Sequence, residues 1–302
     1  YYSMSNVKNY LSLIRFSHTI FAMPFAMIGF FLGTRNLHYF DSGVSVSATY
    51  IISKLLLVVL CMVFARSAAM AFNRWLDRHF DARNPRTAIR EIPAGIISAN
   101  SAVTFTIISC ILFAGTTFFI NRICFLLSPV ALGVVLGYSY TKRFTPFCHL
   151  ILGIGLSLAP IGAYLAITGK FALLPLLFSF AVIFWVSGFD IIYALQDEEF
   201  DKSQKLYSMP SWLGKAKALR VSESLHLLST ICVFAAGLTG GFGLWYWAGV
   251  VVFMGMLFYQ HAIVKPNDLS KVNLAFMTAN GIASVVFAVF VITDLLLHNR
   301  IA

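Results

Sequence analysis

The chain has 302 residues, of which 59% are hydrophobic and only 11% charged, with a net charge of +10 and a mean hydropathy of +0.81. Soluble domains carry about a quarter of their residues as charge, which excludes a water-soluble globular fold. The basic excess comes with no zinc finger, basic heptad or aromatic-basic groove, which argues against nucleic acid as a partner.

Apolar runs of about 20 residues, the length that crosses a bilayer, recur near 16–33, 48–73, 98–120, 123–140, 148–168, 171–194, 223–241, 244–262 and 273–296. The expected fold is an all-α polytopic membrane protein, a bundle of about nine transmembrane helices. Eight or ten also fit, because 98–140 and 223–262 are broken only by short links. No ten-residue alternation of the outer-membrane barrel kind is present. The first run has Arg15 and His18 at its start and no small-residue cleavage site, so it reads as a retained helix. Little chain remains for a soluble domain, and 1–302 reads as one transmembrane unit with related halves, roughly 1–140 and 141–302.

Two polar connections, about 74–97 and 195–222, exceed a tight turn, and a short basic loop, Thr141 to Pro146, lies between them in sequence. With nine helices, Arg35, Lys54, Arg122, Lys170 and Arg300 fall on one side and the other 17 of the 22 Lys and Arg on the opposite side. By the positive-inside rule that richer side is cytoplasmic. The five cysteines, Cys61, Cys110, Cys124, Cys148 and Cys232, contain no CxxC pair and read as small buried apolar residues.

The acids are concentrated in two clusters at helix ends. In FNRWLDRHFDARNPRT, Asn73, Asp77 and Asp81 are four apart, and in FDIIYALQDEEFDKS so are Tyr193, Asp197 and Asp201, with Asp190 just before them. Spacing of four on a helix stacks side chains on one face. Two facing ladders of carboxylates repel each other unless a divalent cation lies between them. Hard Asp and Asn oxygens suit Mg²⁺, which completes its shell with waters and substrate phosphate, so a metal-bridged diphosphate is the expected ligand. A plain structural reading instead pairs these acids with neighbouring arginines as interfacial ion pairs.

Basic residues on the same face, Arg66, Arg83, Lys142, Arg143 and Lys202 among them, match a departing diphosphate. Taken singly, each also serves as a topology or headgroup charge. Arg66 stands out because it lies inside an apolar span, where an unpaired charge is costly. Arg15 and His18 offer a bidentate carboxylate partner or a snorkelling interfacial pair. The Tyr193 ring can face a cation, and the 29 phenylalanines pack helices or line a groove for an isoprenoid.

Together these residues resemble the intramembrane aromatic prenyltransferases of the UbiA superfamily over essentially the full chain. Asn73-Asp77-Asp81 matches an NxxxDxxxD motif after helix two, and Tyr193-Asp197-Asp201 a YxxxDxxxD motif after helix six. The resemblance implies Mg²⁺-dependent ionisation of a polyprenyl diphosphate held between the motifs, then alkylation of an electron-rich aromatic ring. It also implies that Asp190 helps deprotonate the acceptor, that Arg15 meets the acceptor carboxylate and that Lys142 meets the diphosphate. One departure is Arg74, where many relatives carry Asp, which removes an acidic ligand from the first motif. The stretch NPRTAIREIPAG resembles a subgroup linked to menaquinone, so both 4-hydroxybenzoate and a hydroxynaphthoate fit as acceptor. Haem or chlorophyllide prenylation, or a cation-coupled transporter, are the alternatives; a transporter places its acids near the bilayer midplane.

Overall fold

The computed structural model describes residues 9–14, 21–40 and 47–297, so Arg15 and His18 lie outside the described residues. Lipid offers backbone amides no hydrogen-bonding partner, which leaves helices as the structure these apolar runs adopt. Among the described residues, twelve α-helices follow the short helical stretch 9–13: α1 Met23–Phe40, α2 Ala48–Leu76, α3 Arg78–Arg83, α4 Ala99–Ile120, α5 Arg122–Thr141, α6 Cys148–Thr168, α7 Leu173–Ala194, α8 Glu198–Ser203, α9 Met209–Leu213, α10 Lys215–Gly240, α11 Leu244–Ile263 and α12 Asn280–Leu297. The only β pairing among the described residues is an isolated bridge, Lys265 to Asp268.

Among the described residues, eight stretches are long and apolar enough to cross a membrane. They match the expected spans from the second to the ninth, to within three residues except at the start of α10 and at the end of the stretch Leu173–Ser203, which runs nine residues past its expected end through the 3₁₀ turn and α8. Helix α10 begins at Lys215, eight residues before its expected start, because its basic first turns continue the helix beyond the apolar run. The first expected span, 16–33, overlaps α1, which starts and ends seven residues later and is not one of the eight; residues 16–20 lie outside the described residues, and α1 packs within the bundle against α6 and α12. The connections 74–97 and 195–222 are not plain loops, since they contain α3, α8, α9 and the first turns of α10.

Neighbouring helices close a ring: α2 with α4, α4 with α5, α5 with α6, α6 with α7, α7 with α10, α10 with α11, α11 with α12, α12 with α1, and α1 back to α2. One half is filled. Phe25, Phe178, Trp185, Tyr246, Phe253 and Phe287 are fully buried there, with ring centroids 5.2 to 6.4 Å apart. Asn280 closes this core: its Oδ1 accepts from Trp185 Nε1 at 2.9 Å and from Gln260 Nε2 at 2.7 Å. Its Nδ2 donates to the Ala275 and Phe276 carbonyls of the π-helical turn Leu274–Ala279 that leads into α12. The other half, walled by α2, α4, α5 and α6, is hollow.

Candidate active site

Each acidic ladder crosses a helix break. Asp77 ends α2 and precedes α3, and its amide still donates to Asn73 O at 2.9 Å while Asp81 N donates to Asp77 O at 2.8 Å. The four-residue spacing therefore survives the break. In the second ladder Tyr193 belongs to α7, Asp197 to a 3₁₀ turn over Leu195–Asp197, and Asp201 to α8. The sequence expectation of one unbroken helix face is corrected in this respect: both helices bend where they leave the apolar run.

The two ladders face each other. Adjacent residues of the α5–α6 loop reach one rung of each, with Lys142 Nζ 2.8 Å from Asp201 Oδ1 and Arg143 Nη2 2.8 Å from Asp77 Oδ1. Consecutive Cα atoms are 3.8 Å apart, so the rungs are within reach of two neighbouring side chains. A second bridge comes from the segment after α3. Arg86 Nε donates to Asp197 Oδ1 at 3.0 Å, its Nη2 pairs with Oδ2, and its Nη1 donates to the Tyr193 hydroxyl at 2.9 Å. Asn84 Nδ2 adds a bond to Asp197 Oδ1, and Arg90 holds Asp81 at 2.6 Å. The ion pairs of the plain reading thus exist, and three of the four tie segments remote in sequence.

The charges respond to this crowding. Burial pushes the Asp77 carboxyl above its usual range; Arg143 opposes that shift and the neighbouring Asp81 reinforces it. Burial acts against the Lys142 ammonium, but Asp201 more than compensates and its pKa rises. Arg86 behaves likewise, with burial opposed by Asp197.

Asn73, Asp77, Asp81, Asp190, Tyr193, Asp197 and Asp201 all line one cavity of about 290 Å³, together with Arg66, Lys142 and Arg143. A second cavity of about 380 Å³, lined mostly by apolar residues of α2, α4, α5 and α6, shares Arg66, Met70, Tyr138, Leu152 and Leu156 with the first. The charged chamber therefore lies directly against a greasy one, with these five residues bordering both. Val130 and Phe171, 63% and 57% exposed, lie on the wall of the apolar cavity, which places it against the flank of the bundle.

Two expected site residues do not line either cavity. Arg83 turns toward Gln204 at 3.3 Å, and the half-exposed Lys202 pairs with Glu198 at 2.6 Å, one helical turn away. Sequence inspection singled out neither Asn84 nor His149, whose Nδ1 is 2.6 Å from Asp190 Oδ2. Arg86 and Arg90 stood in the basic stretch with nothing in the pattern to set them above Arg83. Arg74, the departure in the first motif, is buried and lines the charged cavity.

The donor set fits a hard divalent cation. Asp81 Oδ2 is buried without a hydrogen-bond partner, and the ladders supply oxygen ligands only. Among the described residues no three His, Cys, Asp or Glu side chains converge on one point. Each ladder offers two carboxylates, which leaves the rest of a metal shell to ligand oxygens and water.

Fold and site together define an integral membrane protein with a charged cavity at one end of its bundle and an apolar cavity beside it. Residues 22–282 match the UbiA prenyltransferase family. Relatives include the 4-hydroxybenzoate octaprenyltransferases of Aeromonas salmonicida (strain A449), 28% identical over 80% of this chain and 83% of that protein, and of Burkholderia orbicola (strain MC0-3), 30% identical over 81% and 85%. The apo structure of a UbiA homologue from Aeropyrum pernix K1 superposes with a TM-score of 0.76 at 26% identity, over 93% of this chain and 97% of that one. A UbiA homologue from Archaeoglobus fulgidus bound to DMAPP and Mg²⁺ shares the fold, with a TM-score of 0.73 at 22% identity over 95% and 99%. The chain belongs to the UbiA prenyltransferase family. It is a prenyltransferase, which removes the transporter reading, and its acids accordingly stand at helix ends and not at mid-bundle.

Proposed function

We propose that this enzyme transfers a polyprenyl group from its diphosphate to an aromatic acid of the 4-hydroxybenzoate type, in quinone biosynthesis, with Mg²⁺ as cofactor. The observation that carries this is the adjacency of the two cavities: a chamber of opposed acids and bases lies against an apolar one, with five residues bordering both. An isoprenoid diphosphate has the same two parts in the same order. The names of the relatives, 4-hydroxybenzoate octaprenyltransferases, support the acceptor class, and the Mg²⁺- and DMAPP-bound neighbour supports the cation and donor class.

In this reading Asn73, Asp77 and Asp81 hold one ion and Asp197 and Asp201 another, each half of the chain bringing one ladder. Bound Mg²⁺ supplies Lewis-acid neutralisation of the departing diphosphate. The chain's own bases do the complementary work. Lys142, Arg143 and Arg86 stand on the carboxylates in this structure and turn to diphosphate oxygens when the ligand enters. Arg66 guards the junction of the cavities. Tyr193, held by Arg86 at its hydroxyl and lying over Phe276 with centroids 4.3 Å apart, presents a fixed aromatic face to the allylic cation. Apolar walls keep water from that cation. Asp190 receives the proton lost by the acceptor, and Arg15 with His18 binds the acceptor carboxylate. The basic end of the bundle faces the cytoplasm of a bacterial inner membrane, as the distribution of Lys and Arg supports.

The test is a membrane assay with labelled polyprenyl diphosphate against a panel of hydroxylated benzoates and naphthoates, with and without Mg²⁺. Transfer to a benzoate that stops when Mg²⁺ is chelated is expected. Failure with every acid of the panel, in membranes that contain the intact protein, overturns the reading.

A further inference from the structure

His149, in the first turn of α6, and its partner Asp190 both line the charged cavity, with side chains 3% and 26% exposed. The main-chain amide of Met209 donates to His149 Nε2 at 3.2 Å. That bond uses the Nε2 lone pair, so the ring proton of the neutral imidazole is on Nδ1, which is 2.6 Å from Asp190 Oδ2. His149 is therefore a donor toward Asp190.

The backbone that carries this pair is clamped. A Cβ at Gly153, one turn after His149, would lie 2.5 Å from Ile183 O and 2.6 Å from Ser187 Oγ, so only glycine lets α6 approach α7 this closely. Ser187 Oγ in turn lies 3.1 Å from His149 O as donor. On the far side, Met209 opens α9, and the preceding Ser208 caps that helix and donates from Oγ to Asp201 Oδ2 at 2.9 Å. A chain of contacts thus runs from Asp201, the last rung of the second ladder, through Ser208 and Met209 to His149 and Asp190.

From this arrangement we infer that His149 is a positioning residue for acceptor deprotonation, an inference that rests on the function proposed above. Its Nδ1–H ties down Asp190 Oδ2 and turns Oδ1 to the cavity as the base. In the transfer step the allylic C–O bond breaks and its electron pair leaves with the diphosphate. A bond then forms between the allylic carbon and a ring carbon, the C–H bond at that ring carbon breaks, and its proton passes to Asp190 Oδ1. The Met209 amide occupies Nε2 and Nδ1 already bears a proton, so the proton stays on Asp190 and is not relayed inward.

The test compares wild type with His149→Phe, His149→Asn and Met209→Pro, scoring diphosphate release, prenylated acceptor, prenyl alcohol, and the isotope effect of deuterium at the reacting ring carbon. Asn keeps a donor near the Nδ1 position. Pro at the first position of α9 suits the helix and the extended backbone of Ser208, and its Cδ takes the place of the amide hydrogen aimed at Nε2, so it removes that bond and crowds the imidazole. In His149→Phe we expect diphosphate release within about threefold of wild type, while transfer falls about 100-fold, the scale of lost general-base catalysis. Prenyl alcohol accumulates and a primary isotope effect emerges that wild type lacks. His149→Asn recovers most of the transfer, and Met209→Pro shows the same change in product ratio in weaker form. Equal loss of release and transfer in all three variants, or an unchanged product ratio with no isotope effect, overturns the inference. Absence of transfer in wild type across the whole acid panel is the separate outcome that removes the underlying reading.

Discussion

At the scale of single residues the site is an acid–base lattice poised to change partners. On the function proposed above, Asp77→Asn and Asp197→Asn each remove an oxygen that holds the metal, and each leaves Arg143 or Arg86 partly uncompensated. Transfer is expected to fall by at least about 10²–10³, the usual effect of deleting one preorganised electrostatic contact, with membrane yield unchanged on immunoblots. Near-normal turnover in either variant contradicts the assignment. Arg86→Gln separates two roles of one guanidinium. Without diphosphate, Asp197 loses its resident cation, and Mn²⁺ binding read by electron paramagnetic resonance tightens; with diphosphate, the KM for the donor rises about tenfold, the equivalent of one charge-assisted contact. Movement of both in the same direction contradicts an exchange of partners. The acids were legible in the sequence because their spacing is local. Their partners were not, since Arg143 lies 66 positions from Asp77 and Arg86 lies 111 from Asp197. Composition gave no reason to prefer Arg86 over Arg83, and only the turn at Asn84 separates a side chain facing Asp197 from one facing Gln204.

Among the helices, the hydrophobic runs specify existence and length well, and the ends less well. Where charge enters gradually, as over Lys215 to Arg220, the helix outlasts the apolar pattern that announces it. The sequence pattern also hides which faces touch. Gly29 reads as one more small residue of α1, yet a Cβ there would fall 2.0 Å from Pro160 O of α6. Backbone cannot yield as a flexible side chain does, so Gly29→Ala must part the two helices. A loss of about 1–3 kcal/mol, the range of overpacking in a tight core, is expected as a lower Tm in detergent. An unaltered Tm is the result that contradicts this packing. Gly155 and Gly162 differ in kind: they border the apolar cavity, and a Cβ at Gly162 meets nothing within 4 Å.

For the molecule as a whole, one half of the ring is packed with aromatic rings and the other is kept open. On the function proposed above, the open half takes the isoprenoid of the donor. Gly162→Leu inserts a side chain into that space, so use of an eight-unit donor is expected to fall at least about tenfold. A two-unit donor is expected to be unaffected, a difference within reach of the ~1–3 kcal/mol that a few methylenes are worth in an apolar pocket. Parallel assays with the two donors decide it, and equal loss of both places the isoprenoid elsewhere.

The exposed Val130 and Phe171 on the wall of that open half bear on how a cycle finishes. On the function proposed above, the isoprenoid is moored twice before reaction, by its pyrophosphate among the bases and by its tail in the hollow. Afterwards the tether at the water's edge is gone, and what remains is nearly all oil. The easier exit is sideways into the leaflet, so a thinner or detergent-stripped surrounding would slow discharge of the finished lipid before it touched the chemistry.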